Sequence, residues 1–245
     1  MNGSVLSLIA TLLRAPADVL DSPPEDQPTL APRLLGITLF GAAVFGAVVG
    51  AYRGGIQVPF AALKMPLLFL APVALGLPAV RALFGVDTDP VSWRRLGLAG
   101  LVGMARAAVL AAAFSPVLWL YLSLEPDYHS AILALAASLA LVALPGLTTL
   151  AQALPRAGRR QVLATVGAVA ILGVVTAQAG WVLRPFVARP SAEVTFLRPV
   201  EADVFSSLGA SLDASQGRYR DWEPQQRGLL SEGLERAAAL EEVSP

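Results

Sequence analysis

The chain predicts an all-α fold, a polytopic membrane helix bundle of five transmembrane helices, with an N-terminal interfacial helix and a polar C-terminal tail. Three observations lead there. Five long apolar stretches lie between Leu34 and Phe186, and none of them holds an Asp or Glu. Each is close to the roughly 20 residues a helix needs to cross about 30 Å of hydrocarbon. Of 245 residues, 55% are hydrophobic and only 15% charged, against roughly 25% charged in ordinary soluble domains.

Composition also removes several function classes. Net charge is zero and the basic residues are scattered, so nothing marks a nucleic-acid partner. With no cysteine, disulfides, thiol catalysis and Cys-ligated metals are excluded. No GxSxG, HExxH, Walker loop or dinucleotide fingerprint occurs. The expectation is a chain that is not an enzyme and carries no cofactor or catalytic residue.

The elements follow in order. Val5 to Leu13 is an apolar run without a preceding basic residue or a clear small-x-small cleavage site, so an interfacial helix is preferred, with a cleaved signal peptide as the alternative. Val5, Leu8, Ile9, Leu12 and Leu13 share one face, as in a helix lying in the headgroup plane. Residues 15 to 33 hold five prolines and four acids and read as a polar connector, making residues 1–33 one N-terminal unit. The five-helix domain then occupies residues 34–186.

Its first span is Leu34 to Tyr52, closed by the turn Arg53-Gly54-Gly55. A second runs from about Phe60 to Phe84, where Pro66, Pro72 and Pro78 predict kinks. Leu96 to Leu124 is longer than the hydrocarbon core needs, so it must tilt, kink near Pro116 or begin along the interface. Glu125 to His129 forms a polar turn before the fourth span, Ala131 to Leu154. Pro155 to Arg160 is a basic loop, and Val162 to about Leu183 is the fifth span. The tail, 187–245, is polar and weakly helical, with Val204, Leu208 and Leu212 in one stripe and Leu230, Leu234 and Ala237 in another.

Basic residues fix the expected orientation. With the N-terminus inside, cytoplasmic segments hold Arg14, Arg33, Arg81, Arg94, Arg95, Arg156, Arg159 and Arg160. The opposite side holds Arg53, Lys64, Arg184, Arg189 and Arg198. Excess Lys and Arg mark the cytoplasmic side, which gives an N-in, C-out topology.

Few residues inside the spans carry chemistry. Arg106 is a permanent charge in an apolar stretch, at a translocon cost of about 3 kcal/mol at mid-bilayer. Either it snorkels or bonds backbone carbonyls, the preferred reading because its stretch is over-long, or it holds an anionic ligand or lipid headgroup. Lys64 lies one turn into the second span. It is expected to snorkel to the interface, with ligand binding as the alternative. Ala42, Gly46, Gly50 and Gly54 place small residues on one face of the first span, which permits close helix packing within the bundle or, less favoured, between two copies. His129 is the only histidine and sits beside Asp127 and Glu125. It reads as a solvated turn residue, and no metal is expected. Thr176 and Gln178 in the fifth span read as interhelical glue.

Several segments together look familiar. Leu-Leu-Arg14-Ala-Pro16, Gly50-Ala-Tyr52-Arg53, Ala-Leu-Lys64-Met-Pro66 and the closing Gly180-Trp181-Val-Leu-Arg184-Pro185-Phe186 resemble bacterial Yip1-like integral membrane proteins, a group that often carries automatic actin-binding labels. The resemblance covers about residues 5 to 190 and leaves the tail out. It implies five spans, a cytosolic N-terminus and a place in the bacterial cytoplasmic (inner) membrane. Eukaryotic relatives act in vesicle traffic through small GTPases, and no active-site residue transfers. No actin-binding segment is evident in this chain. The expected function is a non-enzymatic scaffold or partner-binding membrane protein. The alternative is a small transporter or a lipid- or anion-binding protein using Arg106 and the proline-kinked second span. The partners expected are the lipid bilayer and another membrane protein or a second copy of the chain.

Overall fold

A computed structural model describes residues 4–84, 92–124, 126–154 and 159–183, together with Phe186, Phe196, Gly209, Leu212 and Asp213. The described chain is helical, and five helices are long and apolar enough to cross a membrane. In order they are α1 (Val5–Arg14), α2 (Pro16–Leu20), α3 (Gln27–Ala51), α4 (Gln57–Ala71), a π-helical turn at Pro72–Gly76, α5 (Leu77–Phe84), α6 (Trp93–Leu122), α7 (Tyr128–Ala153) and α8 (Arg159–Val182). The span formed by α4, the π turn and α5 is one continuous crossing from Gln57 to Phe84.

The connector expected at residues 15 to 33 is shorter than its prolines suggest. Pro16 opens α2, and the first span already begins at Gln27, seven residues before Leu34. Pro28 falls in the first turn of α3, where no intrahelical N–H bond is required. Pro32 stands inside the helix and removes one donor near its start. The kink expected in the second span takes a specific form: Pro72 and Pro78 each delete an i to i−4 bond, and the backbone between them widens into the π turn. Most of the tail, including Val204, Leu208, Leu230, Leu234 and Ala237, lies outside the described residues, and Leu212 is exposed.

Hydrogen bonds identify the two ends of the bundle. Arg94 Nε donates to Gln27 Oε1 at 2.6 Å, and Arg95 Nε to the Ala153 carbonyl at 3.3 Å. The starts of α3 and α6 and the end of α7 therefore meet at one end, where Arg81 also stacks on Trp93 at 4.6 Å. At the other end the Tyr52 hydroxyl donates to the Pro126 carbonyl at 2.8 Å, joining the end of α3 to the start of α7. Trp119, Tyr121, Tyr128 and Trp181 belong to this second end, and such amphipathic rings favour the membrane–water boundary.

Close packing of small residues holds the central helices. α3 packs against both α4 and α6, and α7 packs on α6. Ala42, Gly46 and Gly50 are buried, and a Cβ placed on Gly46 would collide with the Ala61 carbonyl of α4. On Gly50 it would meet the Gln57 carbonyl at 2.6 Å. The small-residue face thus packs within the bundle. Gly54 does not belong to it: it lies in the turn after α3, with φ of 76° and nothing within 4 Å of an added Cβ. Gly103 and Gly146 form a second crossing, between α6 and α7, where a Cβ on either would approach the other's carbonyl to 2.8 or 2.7 Å.

Candidate functional site

Arg106 sits thirteen residues into α6, yet its charge is not at that depth. A helical side chain leans toward the N-terminus of its helix, here toward the basic end. Its Nη1 donates to Thr149 Oγ1 at 2.9 Å and to the Pro145 carbonyl at 3.4 Å, both on α7. Its Nη2 donates to the Leu13 carbonyl of α1 at 3.5 Å. The Thr149 hydroxyl passes the bond on by donating to the Pro145 carbonyl at 2.8 Å. One guanidinium therefore joins three helices. It also caps the C-terminal end of α1, where orphan carbonyls and the helix dipole favour a cation. Arg106 is half-buried, and its Nε is enclosed without a hydrogen-bond partner.

The helix it caps has three surfaces. Leu8 and Leu12 are buried against Leu98, Val102 and Ala105 of α6 and against Leu30, Leu34 and Ile37 of α3. Val5, Leu6 and Leu13 are exposed, Leu6 most of all at 77%. Ser4, Ser7, Thr11 and Arg14 occupy the remaining arc. The single apolar face of the sequence therefore splits into a bundle-facing half and an open half. Ser4 caps the helix N-terminus, its side chain accepting from the Ser7 amide at 3.3 Å.

Lys64 departs from expectation. It does not reach an interface but is completely enclosed by protein, among the largest fully buried side chains. Its Nζ lies 4.7 Å from the ring centroid of Phe196 and 6.0 Å from that of Phe186. Snorkelling fails because residues from beyond the fifth span cover the position, a contact that local spacing does not encode. Arg106 and Lys64 belong to opposite halves of the molecule and do not share a site: the first engages α1 and α7 near the basic end, the second the aromatic residues beyond α8.

Between these cations a mid-bundle cleft of about 50 Å³ is lined by Leu68, Phe69, Met104, Val142, Leu147 and Thr176, among others. Its lining is almost wholly apolar. Thr176 turns its hydroxyl to the Leu172 carbonyl of its own helix at 2.7 Å, so it does not act as interhelical glue.

The turn before α7 is a capping arrangement. Asp127 accepts from the backbone amides of His129 at 3.0 Å and Ser130 at 3.1 Å, and from the Ser130 hydroxyl at 2.5 Å. The Ser130 bonds, foremost its hydroxyl, hold the Asp127 carboxyl below the usual carboxylate range. Burial pushes the Tyr52 phenol up, and the nearby Asp127 charge adds to the rise. His129 packs edge-on against Tyr128 at 5.5 Å. Among the described residues no group of three His, Cys, Asp or Glu gathers as a metal site would require.

The five helices long and apolar enough to cross a membrane mark the fold as that of a multi-pass helical membrane protein. Comparison with protein-family models, curated proteins and solved structures gives no match for this chain.

Proposed function

We propose that this chain is a non-enzymatic scaffold of the Yip1-like type, seated in the bacterial cytoplasmic membrane and engaging another membrane protein. The observation that carries the proposal is the use of Arg106: its guanidinium is directed to Thr149, Pro145 and Leu13 and holds α1 on the bundle. A charge retained in a span to fasten a peripheral helix fits a protein whose task is to present that helix. The exposed Val5, Leu6 and Leu13 edge of α1, beside a polar arc, suits a helix at the headgroup plane. Arginines gather at the end where α3 and α6 begin, which supports a cytoplasmic N-terminus and a C-terminus on the opposite side. A transporter or an anion site at Arg106 would need its donors turned toward a polar passage. The mid-bundle cleft is instead apolar.

The test is photo-crosslinking in native membranes, with a photoactivatable residue at Leu6 and, as control, at the exposed Leu163 of α8. A discrete protein adduct from position 6 alone is expected. Lipid adducts from both positions, together with Arg106-dependent anion flux in proteoliposomes, would replace the scaffold with the transporter reading.

A further inference from the structure

α8 is sparsely packed for a spanning helix. Of its 24 residues only Thr165, Ala168 and Leu172 are buried. Leu172 fits against Gly76 in the π turn, with no room for a Cβ there, and this fixes the middle of α8. The half of α8 toward the aromatic end, from Gly173 onward, contributes no buried residue. Its packing there rests on the half-buried Ala179, with Leu183 just past the helix end, against the main core cluster.

Gln57, Phe60 and Lys64 stand at i, i+3 and i+7 and so lie along one face of α4. Each of them meets a residue from beyond α8. Gln57 Nε2 donates to the Phe186 carbonyl at 2.8 Å. Phe60 takes the ring of Phe196 edge-on, at 5.2 Å and 87°. The Lys64 ammonium lies over the faces of both Phe196 and Phe186. Phe186 is itself only 6% exposed and joins the main core cluster with Phe45, Met65 and Leu118.

We infer that the Gln57–Phe60–Lys64 face of α4 is a docking site for Phe186 and Phe196, and that the Lys64 ammonium is its anchor, locking the second half of α8 onto α4. An ammonium within about 6 Å of a ring centroid is attracted to the negative face of the ring, and the attraction grows where water is excluded. Two phenylalanines from one segment share this single cation. Lys64 is thereby a fastening between α4 and the two rings.

The absence of native cysteine makes the test clean. A Cβ on Gly180 would lie 3.6 Å from Leu68 Cδ1, so the pair Leu68→Cys and Gly180→Cys reports whether α8 stays on α4. The rate of disulfide formation in membranes is measured in the parent pair and after Lys64→Met, Lys64→Arg and Phe196→Ala. Lys64→Met should slow crosslinking about fivefold or more, as should Phe196→Ala, while Lys64→Arg should stay within about twofold of the parent. Equal rates across all four, or Lys64→Arg failing as badly as Lys64→Met, overturn the cation's role. Should Lys64→Met fail to accumulate, the contrast between Phe196→Ala and Lys64→Arg decides alone.

Discussion

Gly46→Leu and Gly103→Leu should each remove the folded protein from the membrane, whereas Gly36→Leu, Gly97→Leu and Gly173→Leu should leave it intact. The two groups differ only in what an added side chain would meet. At Gly46 a Cβ collides with the Ala61 backbone carbonyl, and at Gly103 it comes within 2.8 Å of the Gly146 carbonyl. Backbone cannot rotate away as a side chain can, so α3 must part from α4, or α6 from α7. Overpacking at such a crossing costs about 3 kcal/mol or more, and the separation also forfeits the contacts around it. At Gly36, Gly97 and Gly173 nothing lies within 4 Å, and a leucine there meets lipid or open space. Thermal unfolding in detergent, followed by loss of the monodisperse peak, measures both groups. A Gly103→Leu protein as stable as Gly173→Leu would mean that α6 and α7 do not cross where described.

Arg106→Met should release α1 while leaving the five spans assembled. The substitution keeps the apolar stem and removes the donors to Thr149 and to the Leu13 carbonyl. Hydrogen bonds to a charged group contribute about 1.5–3 kcal/mol. A loss of about 2 kcal/mol corresponds to roughly a 30-fold shift in the docking of α1. Leu8, only 4% exposed, reports that shift when replaced by cysteine. Its alkylation should quicken at least tenfold in the Arg106→Met background. Arg106→Lys should be intermediate, because one ammonium cannot reach the two helices with the fork of a guanidinium. Unchanged protection at position 8 would mean that Arg106 does not hold α1 and would return the anion site to consideration.

Much of the architecture was legible because it rests on local pattern. Acid-free runs of spanning length, prolines and a polar turn at Asp127 locate four of the five spanning helices to within three residues, and the end of the first. The start of α3 is less legible: Pro28 is tolerated in the opening turn, whereas Pro32 stands inside the helix and removes one donor. The small-residue face of α3 was legible, except that Gly54 lies beyond its end. A second small-residue signal lies in α6: Ala99, Gly103, Ala107 and Ala111 recur every four residues and are all buried. Their spacing could have found the crossing with Gly146.

The two cations were legible as exceptions and illegible as partners. Nothing in the surroundings of Lys64 encodes Phe186 or Phe196, more than 120 residues away and brought to it only by the return of the chain after α8. Arg106 was placed more readily, since an over-long span leaves its charge few places to go. Its third acceptor, the Leu13 carbonyl, is a backbone group that no side-chain pattern announces.

The most direct test of the central claim, a five-span bundle with its termini on opposite faces, uses single cysteines at Asp89, His129 and Ser215, labelled with a membrane-impermeant maleimide before and after membrane opening. Position 89 should react only from the cytoplasmic side, and positions 129 and 215 only from the other. Labelling of position 215 solely from the cytoplasmic side would contradict it.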